Sequence, residues 1–148
     1  MKLTLYTDYS LRVLIYLASK KDHDLANIQE IADAYHISKN HLMKITYELG
    51  KMGIIETVRG RNGGIRLAKQ PTDINIGALV RQTEEDFHLV ECFDTEHNRC
   101  VITPVCGLKH VLNKALQAYF QVLDDYTLDD LVKNPFDLQA LFGQSANE

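Results

Sequence analysis

Three cysteines lie close together in the second half of this 148-residue chain, at Cys92, Cys100 and Cys106, and the sequence holds no others. Seven and then five residues separate them. Random placement would gather three residues into so short a span only roughly a few per cent of the time. Structural zinc normally uses cysteine pairs about two to four residues apart, whereas each cysteine of an iron–sulfur cluster can ligate a different iron. The spacing therefore favours a cluster.

Other states of these thiols stay open. A disulfide is disfavoured because the count is odd and cytoplasmic proteins rarely form disulfides. Three cysteines are one short of the usual four cluster ligands, so a ligand of another type or an open site is implied. His97 lies in the same segment, but a solvent-exposed histidine is the simpler interpretation there. The cysteines could also be inert buried thiols, a thiol switch without a cluster, or a redox-active site in a small enzyme.

A second group of residues could bind DNA. A predicted third helix begins at Ser38, and its first turns present polar side chains that reach base edges or phosphates once a helix enters the major groove. A glycine-rich hairpin follows, and its arginines could enter the minor groove. The alternative is an ordinary exposed helix and turn. The candidate DNA-binding residues are Ser38, Lys39, Asn40, His41, Lys44, Arg59, Arg61, Asn62 and Gly63.

The charge distribution agrees with a DNA-binding surface. The whole chain carries a formal charge of −4. Residues 36–70 contain seven basic and two acidic side chains, a local charge of +5, which leaves −9 for the remainder. Phosphate neutralisation is local, so a basic patch on an acidic body is compatible with binding to double-stranded DNA.

Helical and strand periodicities place these residues on a framework. We expect a first helix from about residue 8 to 19, a second that opens with an Asn27–Glu30 capping pair, and a third that Ser38 begins and Gly53 ends. Short β-branched runs at 54–58 and 65–68 predict two strands joined by a tight turn in which Asn62, Gly63 and Gly64 favour positive φ. Two short helices followed by a basic hairpin predict a winged helix-turn-helix in a mainly α, α+β chain.

The second half of the chain predicts a long helix. Apolar residues recur at helical spacing from about 104 to 124, after a shorter helix at about 74–83 and before another at 128–132. A helix of that length spans about 30 Å, more apolar surface than a small protomer can cover. We expect this helix to form a homodimer; the alternative is that other parts of the same chain bury its apolar surface. The chain then divides into a DNA-binding domain at 1–84, a cysteine loop at 85–106, and a dimerisation helix with a tail at 107–148.

Several classes of protein are disfavoured. The longest strongly apolar stretch, residues 13–18, is too short to span a bilayer. Asp8 and Arg12 interrupt any secretory signal, so we expect a cytoplasmic protein with no membrane partner. The glycine-rich segment at 60–64 lies between two strands and opens no helix, so it is not a phosphate-binding loop. With no paired acid–base set either, we predict that the chain is not an enzyme.

The sequence also resembles a known family. Residues 54–69 (IIETVRGRNGGIRLAK) are similar to the wing of the iron–sulfur-dependent regulators related to IscR, and residues 5–12, 89–92 and 126–131 resemble the same proteins. The resemblance covers about residues 1–132. The seven-then-five cysteine spacing is similar to the nitric-oxide-sensing repressors of that family. IscR itself has a shorter gap between its first two cysteines. It also has a histidine shortly after the last cysteine, and His110 of this chain comes one position later than that pattern requires.

The resemblance implies a 4Fe–4S cluster on Cys92, Cys100 and Cys106, with Asp8 of the partner subunit as a candidate fourth ligand. Arg12, one turn beyond Asp8, could pair with it. The alternative for Asp8 is an ordinary helix cap. The implied function is a dimeric transcriptional repressor that binds a palindromic operator, takes nitric oxide as its signal and controls nitrosative-stress genes. An IscR-like regulator of iron–sulfur assembly with a 2Fe–2S cluster, or a repressor with a cluster-free thiol switch, remains the alternative.

Overall fold

The computed structural model describes residues 1–147, with side chains as far as 143. Over this range the chain forms seven α-helices and one antiparallel hairpin. The helices are α1 (Leu5–Ser19), α2 (Ile28–Tyr35), α3 (Lys39–Lys51), α4 (Ile76–Thr83), α5 (Gly107–Asp124), α6 (Leu128–Leu131) and α7 (Pro135–Asn147), and the strands are β1 (Ile55–Val58) and β2 (Gly64–Leu67).

The caps of α2 and α3 form as their sequences predict. The Asn27 side chain accepts from the Glu30 N–H, and the Glu30 carboxylate accepts from the Asn27 N–H, each at 2.8 Å. Ser38 caps α3. Between them His36 adopts a left-handed conformation with φ of 56°, which ends α2 sharply and lets α3 leave in a new direction. The pair is a helix-turn-helix.

The hairpin that follows α3 is the wing. Gly53, with φ of 74°, turns the chain out of α3, and Ile55 then faces Leu67 in the β1–β2 register. Ala26 exchanges both backbone hydrogen bonds with Ile65, at 2.8 and 2.9 Å, so the wing is joined to the segment before α2. This contact fixes the wing against the helix-turn-helix.

The predicted positive φ in the turn is misplaced. Gly60 adopts it, with φ of 111°, and neither Gly63 nor Gly64 does. Gly63 is required for a different reason: a Cβ there would lie 2.0 Å from the carbonyl oxygen of Val58. The loop therefore uses one glycine for its backbone conformation and another for close packing of its two strands.

One hydrophobic core joins α1, α2, α3, α4 and α6. Its largest fully buried side chains are Leu14, Ile31, Leu42, Ile45, Leu49, Leu79 and Leu128. Burying one such side chain contributes roughly 1.5–3 kcal/mol. Three of the seven belong to α3, so the core fixes the orientation of that helix.

The long helix α5 begins later than its periodicity predicts. It begins at Gly107, because Cys106 is the N-cap and Pro104 belongs to a preceding 3-10 turn at Thr103–Val105. Along the described chain every residue of α5 stays at least partly exposed. Phe120 and Leu123 pack against the core, whereas Leu108, Val111 and Val122 are more than half exposed, so the protomer covers only part of the apolar surface of α5.

The sequence analysis missed α7. Phe142 packs its ring 4.8 Å from that of Tyr16 and 5.2 Å from that of Tyr35, and Gln139 Nε2 donates to the backbone oxygen of Ser19. This last helix therefore packs against α1 and α2. Pro135 at its first position is a helix-start signal that the sequence does carry.

These elements confirm the predicted fold class, a mainly α chain with a winged helix-turn-helix and a long helix after it. Across residues 1–147, no helix combines the length and the apolarity that a bilayer crossing requires.

Candidate nucleic-acid interface and metal centre

The amino-terminal turns of α3 project into solvent. Ser38, Lys39, Asn40 and Lys44 are exposed, and His41 is half-buried. The Ser38 Oγ accepts from the backbone N–H of His41 at 3.4 Å, a long bond that leaves the hydroxyl accessible. The buried stripe of Leu42, Ile45 and Leu49 holds the helix from behind. The five predicted residues therefore share one accessible surface at the start of α3.

The predicted wing residues lie at the tip of the hairpin. Arg59, Arg61 and Asn62 are exposed, and Gly63 is half-buried. The Gly63 N–H donates to the carbonyl of Gly60 at 3.1 Å, which closes the tip. The structure brings these residues together in one loop on the strands that directly follow α3.

A third basic side chain of the wing is engaged elsewhere. Arg66 Nε donates to the Glu56 carboxylate at 2.5 Å across the two strands, and Arg66 faces Glu56 in the register. Its charge is partly neutralised, so Arg59 and Arg61 carry the wing's positive charge.

Sequence reasoning missed two exposed side chains on α3. Met43 is 49% and Tyr47 67% exposed, four residues apart on the same face of the helix. Lys51 lies near the Tyr47 ring, with Nζ 5.5 Å from its centroid. Neither residue was among the candidate DNA-binding residues. The sequence does indicate that Met43 and Tyr47 are exposed, because Leu42, Ile45 and Leu49 already account for the buried stripe of α3.

Asp8 does not cap α1, so that alternative is wrong. The N-cap is Thr4, whose Oγ1 accepts from the Thr7 N–H at 3.3 Å, and Asp8 lies one turn inside the helix. Its carboxylate instead accepts from Arg12, with Nε to Oδ1 and Nη2 to Oδ2 both 3.1 Å. The two side chains are 42% and 41% exposed. Asp8 is an accessible carboxylate with a bidentate partner in its own helix.

Arg12 connects this carboxylate with the helix-turn-helix. Its guanidinium carbon lies 5.4 Å from the centroid of the Tyr9 ring and 5.8 Å from that of Tyr35. The Tyr9 ring meets His41 edge-on at 5.0 Å. Burial raises the pKa of Tyr35 well above its ordinary value, so its hydroxyl stays protonated and donates to the Arg12 carbonyl at 2.7 Å. Asp8 and His41 are thus linked through the side chains of Arg12 and Tyr9.

The three cysteines are free thiols in different environments. Cys92 is buried in a 3-10 turn at Glu91–Phe93, Cys100 is exposed, and Cys106 is half-buried. The Cys106 Sγ accepts from the Lys109 N–H at 3.4 Å, as the N-cap of α5. Cys106 therefore lies at the amino-terminal end of α5, with its sulfur directed at the backbone of the first turn.

Hydrogen bonds order the segment between the cysteines. Asn98 accepts from the Cys100 N–H and donates to Thr103 Oγ1, both at 3.0 Å. His97 is 77% exposed and pairs through Nδ1 with Asp94 at 2.8 Å, and this bond lowers the pKa of Asp94 below its ordinary value. His97 is therefore a solvent-exposed residue with its own carboxylate partner.

The donor chemistry of this segment fits an iron–sulfur cluster. Three free thiols lie on one loop, one of them at a helix N-terminus, and thiolates are the ligands that such clusters prefer. Within residues 1–147 no three histidine, cysteine or carboxylate side chains converge as a metal site. The residue types fit the group, and the protomer alone does not bring the thiols together.

Residues 3–134 match the Rrf2 family, described as "Iron-dependent Transcriptional regulator". Since the match spans most of the chain, the protein belongs to the Rrf2 family.

Individual relatives agree with this. The chain is 67% identical over 134 residues to the "HTH-type transcriptional regulator NsrR" of Bacillus licheniformis, an alignment that covers 90% of this chain and 94% of the relative. It is 65% identical over 141 residues to the protein of the same name from Bacillus subtilis, covering 95% and 97%. These identities confirm the resemblance identified from the sequence.

A solved structure has the same fold. "T. potens IscR" superposes with a TM-score of 0.72 at 25% identity, covering 90% of this chain and 88% of that one. The family and the named relatives are transcriptional regulators. This protein is accordingly a transcriptional regulator and, as predicted, not an enzyme.

Proposed function

We propose that the protein is a homodimeric repressor that binds a palindromic operator and releases it in response to nitric oxide. The observation that carries the proposal is the position of the cysteine loop, which joins the winged helix-turn-helix to the exposed helix α5. The seven-then-five cysteine spacing and the relatives named NsrR support nitric oxide as the signal and nitrosative-stress genes as the targets. Operator DNA would place the protein in the bacterial cytoplasm.

The proposed DNA contacts follow from exposure and charge. The accessible start of α3 enters the major groove, where Ser38, Asn40 and His41 meet base edges or phosphates while Lys39 and Lys44 neutralise phosphates. The wing tip reaches the adjacent minor groove. Its contact residues are Arg59, Arg61, Asn62 and Gly63.

The proposed dimer is supported by the exposed face of α5. Leu108, Val111 and Val122 are 62%, 59% and 57% exposed, and the spacing of three and then eleven residues places them on one side of the helix. The opposite side carries Asn113 and Gln117. Pairing two copies through the apolar side would remove this surface from water and set two helix-turn-helix units side by side.

The proposed cluster ligands are Cys92, Cys100 and Cys106, with Asp8 of the partner subunit as the fourth. A 4Fe–4S cluster held there would supply iron to which nitric oxide binds. A carboxylate is an unusual fourth ligand beside thiolates and is more easily exchanged, which suits a site that must respond to a signal.

The chain's own contacts then connect Asp8 with DNA recognition. Asp8 has two alternative partners, Arg12 in its own helix and the proposed site in the other subunit. When Asp8 leaves Arg12, the guanidinium loses its carboxylate partner and can shift against the Tyr9 and Tyr35 rings that it contacts. Tyr9 meets His41 on α3, so a shift of Arg12 changes the surface that reads DNA.

The test is anaerobic purification with measurement of iron, sulfide and the visible spectrum, before and after nitric oxide. About four irons per chain and an absorbance that nitric oxide destroys are the expected results. About two irons would move the function to an IscR-like regulator. A colourless protein after anaerobic reconstitution would leave the thiol switch, and any turnover by the purified protein would contradict a purely regulatory role.

A further inference from the structure

The carboxyl-terminal end of α5 is joined to α4 through Asp124. Arg81 binds both carboxylate oxygens of Asp124, with Nη1 to Oδ1 2.6 Å and Nη2 to Oδ2 2.9 Å. Asn75, the N-cap of α4, donates from Nδ2 to the Asp124 backbone oxygen at 2.8 Å. Arg81, near the end of α4, therefore holds the Asp124 side chain, and Asn75, at the start of α4, holds the Asp124 backbone.

Two further contacts hold α4 and α5 close together. A Cβ at Gly77 would lie 1.8 Å from Asp124 Oδ1 and 3.0 Å from its backbone nitrogen, so α5 ends directly against a glycine of α4. The Arg81 guanidinium carbon lies 4.3 Å from the centroid of the Phe120 ring, a cation–π contact one turn back along α5. We call Gly77, Arg81 and Asp124 the α4–α5 clamp.

The chain beyond α5 reinforces the clamp. The Ile76 N–H donates to the Tyr126 carbonyl at 3.0 Å, and the Leu128 N–H donates to the Ile74 carbonyl at 2.8 Å. Leu128 is fully buried in the core. The end of α5 is thus fixed to the DNA-binding unit, whereas Leu108 and Val111 lie exposed toward the other end.

Both charged side chains of the clamp are more than 40% exposed. An exposed ion pair contributes little to stability. We therefore consider the Arg81–Asp124 pair for its effect on the position of α5 relative to α4. The helix α5 has 18 residues, which makes it about 27 Å long. A tilt of about 10° at the clamp would move its far end by about 5 Å, more than the separation of about 3.4 Å between adjacent base pairs.

We infer that the α4–α5 clamp sets the spacing of the two operator half-sites that the dimer accepts. The inference rests on the proposed function, because it needs a dimer formed through α5 and a palindromic operator. Two recognition helices must match the distance and the helical phase of their half-sites. The clamp fixes the angle between the helix that pairs the subunits and the unit that binds DNA. Arg81 and Asp124 are positioning residues.

The test measures spacing preference. A palindromic duplex is selected from a random library with the wild-type protein, and derivatives are made with one or two base pairs inserted or removed at the centre. The wild type should prefer the selected spacing. Arg81→Ala and Asp124→Asn should reduce that preference by about tenfold, since a misplaced half-site forfeits much of its specific contact.

Gly77→Ala and an unrelated control sharpen the test. A methyl group at residue 77 would displace the Asp124 carboxylate and press on its backbone nitrogen, so Gly77→Ala should lose the same preference. Asp33→Ala, which removes an exposed hydrogen bond from Gln29 on α2, should keep the wild-type preference. Circular dichroism and sedimentation confirm that each variant is folded and dimeric, and Arg81→Lys should restore part of the preference.

The outcomes separate two kinds of failure. A wild type that binds no duplex from the library, or binds only as a monomer, overturns the proposed function and this inference with it. Variants that keep the wild-type ratio of affinities overturn the inference alone. Variants that lose affinity equally at every spacing also overturn it, because they show a general structural role.

Discussion

Arg12 binds both carboxylate oxygens of Asp8 at 3.1 Å, one turn apart on the same helix. The pair is accessible, and Arg12 also lies against Tyr9 and Tyr35. The residue proposed to complete the metal site of one subunit is therefore already in contact, through Arg12 and Tyr9, with the DNA-binding helix of the other.

The first prediction concerns this carboxylate. Asp8→Ala should assemble its cluster nearly as the wild type does but should bind operator with little dependence on whether the cluster is intact, because the link to His41 begins at Asp8. Iron content and operator affinity before and after nitric oxide measure the two effects. An Asp8→Ala protein that binds operator and releases it as the wild type does would exclude Asp8 from the signal path. Arg12→Ala is the companion variant, expected to change operator affinity at unchanged iron content.

The wing arginines should contribute affinity that depends on salt. Arg59→Ala or Arg61→Ala should weaken operator binding by about three- to tenfold at low salt and lower the slope of log K against log salt by about 1 for each lost phosphate contact. Titrations at several salt concentrations measure both. The control is Lys133→Ala, which removes one charge from an exposed position outside the proposed surface. An unchanged slope in both arginine variants would remove the wing from the interface.

Dimerisation should fail when the exposed face of α5 receives a charge. Val111→Glu places a carboxylate in the proposed interface, and burying it unpaired should raise the dimer dissociation constant by at least about 100-fold. Val111 is 59% exposed in the protomer, so its fold should survive. Sedimentation equilibrium measures the change, and Asn113→Glu on the opposite side provides the control. Equal behaviour of the two variants would place the interface elsewhere.

A fourth prediction follows from the cap of α6. Thr127 donates to Asp130 Oδ2 from its backbone N–H at 2.8 Å and from Oγ1 at 3.2 Å, and the backbone bond is the largest cause that lowers the pKa of Asp130. Because the native pKa lies below the unfolded value, this stabilisation is complete above that value and is lost as the pH falls through the native pKa.

Asp130→Asn should therefore lower the urea midpoint of unfolding at pH 7, and the gap to the wild type should narrow below about pH 4, near the ordinary aspartate value. Asp129→Asn, which removes only an exposed ion pair with Lys133 at 3.8 Å, should show little change at either pH. A gap that persists undiminished at pH 3 would contradict this origin of the stability.

The winged fold could be read from the sequence because its signals are local. The Asn27–Glu30 capping pair, Ser38 and Gly53 act within one helical turn, and each has the predicted role in the structure. The exposed start of α3 follows directly from the buried stripe of the same helix. The family and the non-enzymatic class were also predicted correctly.

Relationships over long distances in sequence could not be predicted in this way. The contact of Tyr9 with His41 joins α1 to α3. Positive φ in the wing was predicted for Asn62, Gly63 and Gly64, whereas Gly60 adopts it and Gly63 is needed for its small size. The clamp around Asp124 joins residues more than 40 positions apart, and no local pattern indicates it.

The position of α7 has a consequence for how the protein is made. Phe142 packs against Tyr16 and Tyr35, and Gln139 bonds Ser19 across 120 positions of sequence, so α1 and α2 are partly covered by a helix that follows them much later in the chain. Translation proceeds from the amino terminus, at about 5–20 residues per second. A nascent chain therefore emerges with its helix-turn-helix complete in sequence but still uncovered on one side. The packing of α1 and α2 is therefore completed only once α7 has emerged.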